Sequence, residues 1–210
     1  ERFQELLALE RRNLPEGHPF NNVFAMALGA PLPPIWLLGS SDYSAELAAA
    51  VGMGFSFAHH FASHDAVSAM RSYRDHFKPS ADLAKPAAIL ATHVVCADTD
   101  AEADRLAATV DLNFVRRAKG EYRPLASPEE AAAYDYAPID RERIRHGRQR
   151  VFVGSPTKVV ERLMPLVEET QADEVMITSM IFDHAARRHS YELMAEAFAL
   201  RGAPATATTS

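Results

Sequence analysis

The sequence lacks most features that would settle a chemistry at sight. Its 210 residues include one cysteine, Cys96. That excludes an internal disulfide and any cysteine-rich zinc site. Lying in an apolar run, Cys96 reads as a small buried hydrophobe. No apolar stretch approaches the roughly 20 residues of a membrane-spanning helix, and no secretory signal is visible. A cytoplasmic protein that binds no membrane is the expectation. Positive charge is not in excess: 22 Lys and Arg face 28 Asp and Glu, a formal net charge of −6. That argues against non-specific nucleic-acid binding. A nucleophile elbow, a Gly-rich nucleotide loop and a Cys/His/Asp set for covalent catalysis are also missing. So is an initiator methionine. Glu1–Glu10 is already helical in pattern, with Phe3, Leu6, Leu7 and, less neatly, Leu9 apolar, and no N-cap precedes it. The expectation is a fragment of a longer chain.

What is present is a chain that can build a core, 48% hydrophobic and 24% charged. Asn13–Pro34, rich in Pro, Asn and Gly, reads as an irregular connection with a short strand over Val23–Leu28. Apolar runs predict strands at Ile35–Leu38, Phe55–His59, Ala87–Ala97 and Glu174–Thr178. The run Ala87–Ala97 is apolar throughout, as a parallel strand buried on both faces is. Helical patterns follow each strand: Ser44–Val51, Ala66–Phe77, Ala101–Arg117, and Ala185–Leu200 with Tyr191, Met194, Ala195 and Phe198 inward. Val151–Val153 is a further short apolar run. Ser155 and Pro156 then start a helix that runs to about Thr170 and contains Pro165. Arg201–Ser210 reads as a disordered tail. Strand–helix alternation predicts parallel βα units. A complete (β/α)8 barrel takes about 250 residues and eight such units. Four strands behind a leading helix therefore look like the second half of a TIM barrel.

The strand ends carry the polar residues: Gly39-Ser-Ser41, His59-His60, Asp98 and Thr178-Ser179. This is the face on which barrel enzymes keep their sites. Gly39–Ser41 lies between a strand and a helix start. It is either an ordinary capped turn or a seat for a phosphate, since the first N–H groups of a helix lack internal partners and sit at its positive end. His59, His60 and His64 lie at a strand end and a loop, not at helical i, i+4 spacing. No metal site is expected from them; they face a cofactor or substrate, or serve the structure. Gly120–Arg150 reads as a long excursion with one short helix near Pro128–Tyr134. Its cluster Arg141, Arg143, Arg145, Arg148 and Arg150 is a solvated face, or a lid whose arginines meet an anion.

Pro34-Ile-Trp-Leu-Leu-Gly-Ser-Ser-Asp-Tyr-Ser-Ala-Glu-Leu-Ala-Ala-Ala-Val-Gly52, with Phe55-Ser-Phe-Ala-His-His-Phe61, resembles the bacterial luciferase-like family of flavin-dependent monooxygenases. Val151–Val160 resembles that family's Gly-Thr-Pro helix start, with Ser155 in place of Thr. Ala172–Thr178 and Asp183–Glu196 resemble its closing strand and helix. The resemblance spans roughly Glu1 to Ala199, with the blocks in the family's order. It implies a TIM barrel binding FMN at the C-terminal strand ends. The backbone of Gly39, Ser40 and Ser41, with Tyr43 and Ser44, would receive the FMN phosphate. Ala58, His59 and His60 would lie near the ribityl chain or the ring. The segment 120–150 falls where the family has a lid over the flavin. Reduced FMN would come from a partner reductase or from NAD(P)H, and O2 would oxygenate a small-molecule substrate; the expected assembly is a homodimer. The family's first four strands have no counterpart here, so no catalytic residue is assigned. Two other readings stay open. One is a barrel of this kind that transfers hydride with a deazaflavin; the other is a non-catalytic flavin-binding or oligomerising half-barrel.

Overall fold

Residues 2–24, 33–62 and 64–200 are described by the computed structural model. The chain falls into two units, Glu1–Trp36 and Leu37–Ser210. In the first, helix α1 (Arg2–Glu10) ends where the Asn13 N–H reaches Ala8 O at 3.0 Å and Arg12 turns to a positive φ of 53°. Turns follow: the Asn21 N–H meets His18 O at 3.0 Å, and the Val23 N–H meets Phe20 O at 2.9 Å. Val23 and Phe24 are not in a strand, and the rest of the strand expected over Val23–Leu28 lies outside the described residues. The expected tail Arg201–Ser210 lies outside them too.

The second unit alternates strands and helices, as the patterning predicts. It contains β1 (Trp36–Gly39, from Leu37 on), α2 (Asp42–Val51), β2 (Gly54–Ala58), α3 (Ala66–Asp75), β3 (Ala88–Cys96) and α4 (Asp100–Ala118). After α5 (Pro128–Ala133) and α6 (Pro138–Gly147) come β4 (Val151–Gly154), α7 (Pro156–Thr170), β5 (Glu174–Thr178) and α8 (His184–Ala197). The sheet runs β1-β2-β3-β4, with β5 also on β3; the pairs that β3 makes with β2, β4 and β5 are parallel. Five strands stand where four were expected, because Val151–Val153 pairs with the far half of β3, Val151 opposite His93 and Gly154 opposite Cys96.

Register sorts the side chains onto two faces, since neighbours along a strand point to opposite sides. Phe55 and Phe57 pair with Ala88 and Leu90. These four join Leu37, Val175 and Ile177 in a core that also contains Ala45, Ala48, Ala49, Met70, Tyr73, Leu163 and Met194. This is the face that the helices cover. Tyr73 pins it: its fully buried hydroxyl donates toward Met53 O at 2.8 Å and accepts from the Ala87 N–H at 3.1 Å. On the other face stand Ser56, Ala58, Ile89, Ala91, His93, Met176 and Thr178. Leu38 and Met176, on that second face, are exposed. Towards the C-terminal end of β3, the same face is closed by α4, whose Leu106, Ala107 and Val110 pack on Val95, Val151 and Val153.

Helix boundaries follow their caps. The Thr99 and Asp183 side chains accept from Glu102 N–H at 3.2 Å and Ala186 N–H at 2.7 Å, so α4 and α8 start where those caps stand. Helix α2 begins two residues before the expected Ser44 and ends at Gly52, whose φ of 68° is one that glycine adopts freely. In α8, Tyr191 is exposed rather than inward. Ser190 takes the buried position, its hydroxyl accepting from the Cys96 N–H at 3.0 Å.

The segment 120–150 is more ordered than its composition suggested. It holds two helices and a 3-10 turn at Arg148–Arg150 instead of one short helix. Several of its arginines have protein partners. Arg148 makes a two-pronged contact with Asp111, at 2.6 and 2.9 Å; Arg150 donates to Ala62 O at 2.6 Å; Arg143 meets Asp140 at 3.3 Å. Asp140 is buried, and the Lys119 ammonium at 2.8 Å holds its carboxyl below the usual range. Arg141 and Arg145 are exposed.

Candidate functional site

The turn after β1 is built around a close approach. A Cβ placed on Gly39 would lie 2.0 Å from Ser44 Oγ and 2.3 Å from Ser44 Cβ. Only glycine lets the first turn of α2 press onto the strand end. Ser44 then ties the turn to the helix. Its hydroxyl donates to Ser41 O at 2.7 Å and lies 3.4 Å from the Ser41 N–H. Gly39, Ser40, Ser41 and Ser44 are half-buried, and the Tyr43 ring is exposed. The result is a helix N-terminus lined by small residues and hydroxyls, with backbone N–H groups at its positive end.

A second helix N-terminus, that of α7, offers a comparison. There the Asp100 carboxylate accepts from the Ser155 N–H at 2.7 Å and meets Lys158 Nζ at 3.2 Å. Those bonds, the Ser155 N–H first, hold its carboxyl below the ordinary range. The protein's own carboxylate already fills that anion position. A cavity of about 280 Å³ nearby is lined by Asp104, Arg148, Val151, Val153, Lys158 and Arg162. Of its three cations, Arg148 and Lys158 are paired with Asp104, Asp111 and Asp100, and Arg162 lies over the Phe152 ring.

His59 and His60 begin a 3-10 turn directly after β2, where the sequence placed them. They do different jobs. His60 Nδ1 lies 3.1 Å from Ala91 O. A carbonyl can only accept, so Nδ1 carries the proton and Nε2 keeps its lone pair. The His59 ring lies 6.2 Å from Phe152, and its buried Nδ1 has no partner among the described residues. Burial, then the nearby Arg150 charge, lowers its pKa. Ala58, before them, is buried on the second face of the sheet. Among the described residues, no three His, Cys, Asp or Glu side chains gather so as to hold a metal ion.

Two polar residues of this region, His93 and Ser56, were not singled out in the sequence, while Ser179 was named among the polar strand ends. All three are more than nine-tenths buried. Ser56 and His93 share the second face with Ala58 and Ala91. The Met180 N–H donates to His93 Nε2 at 3.2 Å, and burial lowers the imidazole pKa to about 4. The hydroxyls of Ser56 and Ser179 have no partner among the described residues. One signal for His93 was available: it is the only imidazole, and the only basic side chain, within the apolar run Ala87–Ala97.

Comparison with known proteins identifies the family. The family profile described as luciferase-like monooxygenase matches residues 1–174. The chain belongs to that family. A luciferase-like monooxygenase of Escherichia coli (strain K12) is 40% identical over 160 residues, 76% of this chain and 48% of that protein. The Bacillus subtilis (strain 168) protein YceB is 38% identical over 186 residues, 89% of this chain and 56% of its own. The crystal structure of apo-MsnO8 superposes with a TM-score of 0.79 at 36% identity, covering 96% of this chain and 61% of that one. The chain thus spans about half the length of the curated relatives it matches. Within the luciferase-like family the parallel sheet is part of a TIM barrel. Its second face is therefore the barrel interior, and the turns after β1 and β2 lie at the C-terminal strand ends where barrel sites form. No helix among the described residues is long and apolar enough to cross a membrane.

Proposed function

We propose that this chain supplies the phosphate-binding part of an FMN site in a flavin-dependent monooxygenase acting with O2 on a small organic substrate. One observation carries the reading: Gly39 lets the N-terminus of α2 close onto the strand end with Ser40, Ser41 and Ser44 around it. The equivalent position on α7 is filled by Asp100, whereas at α2 the groups around the turn are hydroxyls, with Asp42 of its first turn exposed. The residues fit the cofactor in a second respect. The buried Ser56, His59 and Ser179 polar atoms have no partner among the described residues, as expected of groups that a polar ligand engages. Gly39, Ser40, Ser41, Tyr43 and Ser44 would hold the phosphate; Ala58, His59 and His60 would line the ribityl chain or ring. Bound, reduced FMN supplies the electrons that activate O2; the protein's task is to hold the ring and keep water out. In this reading the segment 120–150 covers the flavin while anchored on α4 through the Arg148–Asp111 contact. The partners are a source of reduced flavin, whether a reductase or NAD(P)H, and a second copy of the chain.

The test is Ser40→Glu in the intact protein, titrated with FMN and with riboflavin, which lacks the phosphate. A carboxylate beside the phosphate repels it and crowds the helix end. FMN affinity should fall at least about tenfold while riboflavin affinity holds. Unchanged FMN affinity would remove the phosphate from this turn.

A further inference from the structure

We infer that His60 and His93 form a paired acceptor and donor that binds the edge of a flat heterocycle carrying a carbonyl beside an N–H. This rests on the flavin reading above and assigns to these two residues the amide edge of the flavin ring.

Backbone contacts lock the two imidazoles in opposite tautomers. His60 gives its Nδ1 proton to Ala91 O at 3.1 Å, so in the neutral ring Nε2 is the acceptor. His93 takes the Met180 N–H on Nε2 at 3.2 Å, so its Nδ1 carries the proton and can only donate. Among the described residues neither free nitrogen has a partner, and neither is among the fully buried polar atoms left unpaired. Each therefore has a hydrogen-bonding position that no described residue fills. The two rings are neighbours: His60 is anchored on Ala91, two residues before His93 on the same face of β3, and a charge on His60 would depress protonation of His93. A cyclic amide edge needs this complement, an acceptor for its N–H and a donor for its carbonyl.

The surroundings suit a flat ring. Gly54, Ser56 and Ala58 on β2 and Ala91 on β3 present little beyond Cβ to this face. Helix α4 closes the face just past His93 by packing on Val95 and Val153. The loop after β5 adds Met180 through its bond to His93 and the buried Ser179 hydroxyl. Burial keeps His93 neutral, so its role is a fixed hydrogen bond and not a charge.

The experiment is equilibrium binding of FMN and N3-methyl-FMN to the intact wild-type protein, to His60→Leu and to His93→Phe. His93→Gln accompanies them, because a Gln amide can accept from Met180 and still donate. Wild type should bind N3-methyl-FMN about fivefold or more weaker than FMN, the scale of one lost hydrogen bond. His60→Leu should bind FMN more weakly and lose that discrimination. His93→Phe should weaken both ligands while keeping it, and His93→Gln should recover most of the loss. Wild-type protein that binds FMN and N3-methyl-FMN equally, with both histidine variants unchanged, overturns the edge assignment and leaves the flavin reading standing. Wild-type protein that binds no flavin at all overturns both.

Discussion

Adding one methyl group at Gly39 should disrupt the β1–α2 turn more than its size suggests. The new Cβ would sit 2.0 Å from Ser44 Oγ and 2.3 Å from Ser44 Cβ. Carbon atoms pack best at about 3.5–4.0 Å, so the helix end must withdraw by about 1 Å or more. The obstacle cannot swing aside. Ser44 Cβ is fixed to the helix backbone, and Oγ is held by Ser41 O at 2.7 Å. Overpacking of this kind costs about 1–3 kcal/mol, and in a chain of this length each kcal/mol lowers Tm by about 2–4 °C. Chemical denaturation of Gly39→Ala reads the loss directly. A ladder of second changes tests the cause. Ser44→Ala removes the hydroxyl but leaves the Cβ in the way, so Gly39→Ala/Ser44→Ala should recover little. Ser44→Gly removes both atoms at an intrinsic helix cost of about 0.5–1 kcal/mol. In the double-mutant cycle, Gly39→Ala/Ser44→Gly should then be more stable than the sum of its singles by about 1 kcal/mol or more. Strict additivity would show that the close approach is not what fixes glycine at this position.

Two further outcomes follow from buried polar groups. Tyr73→Phe should cost about 1–3 kcal/mol in urea unfolding, because it strips the hydroxyl partner from Met53 O and from the Ala87 N–H; a loss below about 0.5 kcal/mol would mean that water replaces the hydroxyl. His93, with its pKa lowered by burial from 6.5 to about 4, stays neutral in the fold while the unfolded chain takes up a proton. Its contribution is intact above pH 6.5 and is lost as pH falls toward 4, up to about 3 kcal/mol; wild type should lose stability over that window faster than His93→Gln, and parallel curves would contradict it.

The fold was legible where local rules and tertiary demands agree. Strand Ala87–Ala97 announced itself because β3 is buried along its whole length. Helices α4 and α8 start within one residue of the expected Ala101 and Ala185, where the Thr99 and Asp183 side chains close the first turn. The strand Val151–Gly154 did not announce itself, since four apolar residues become a strand only when β3 extends beyond β2 to pair with them. Helix α6 was hidden for a different reason. Its arginines and glycine look like a solvated loop, and the helix is also held by the Lys119–Asp140 and Arg148–Asp111 contacts, which span 21 and 37 residues and are not local patterns. The glycine turn of the candidate site could be read from the sequence. The partners of the histidines could not: the Ala91 carbonyl and the Met180 N–H lie 31 and 87 residues away from the side chains they lock.

The contrast between the two helix ends bears on what the site is for. An anion position at a helix N-terminus is favourable whether a ligand or the protein fills it. At α7 the chain spends Asp100 on it, which joins the start of α4 to the start of α7 and stabilises the fold at all times. At α2 the turn is ringed by hydroxyls and a glycine, which carry no charge, and the acid of its first turn, Asp42, is exposed. The interior face next to it holds the hydroxyls of Ser56 and Ser179 without a protein partner, and leaving a buried polar group unpaired costs about 1–3 kcal/mol. No described residue satisfies those groups. A ligand that meets them together with the α2 terminus binds the folded state alone, and it raises stability as RT ln(1 + [L]/Kd). The same residues that forgo a charge of their own are thus the ones through which a bound anion would stabilise this half of the barrel.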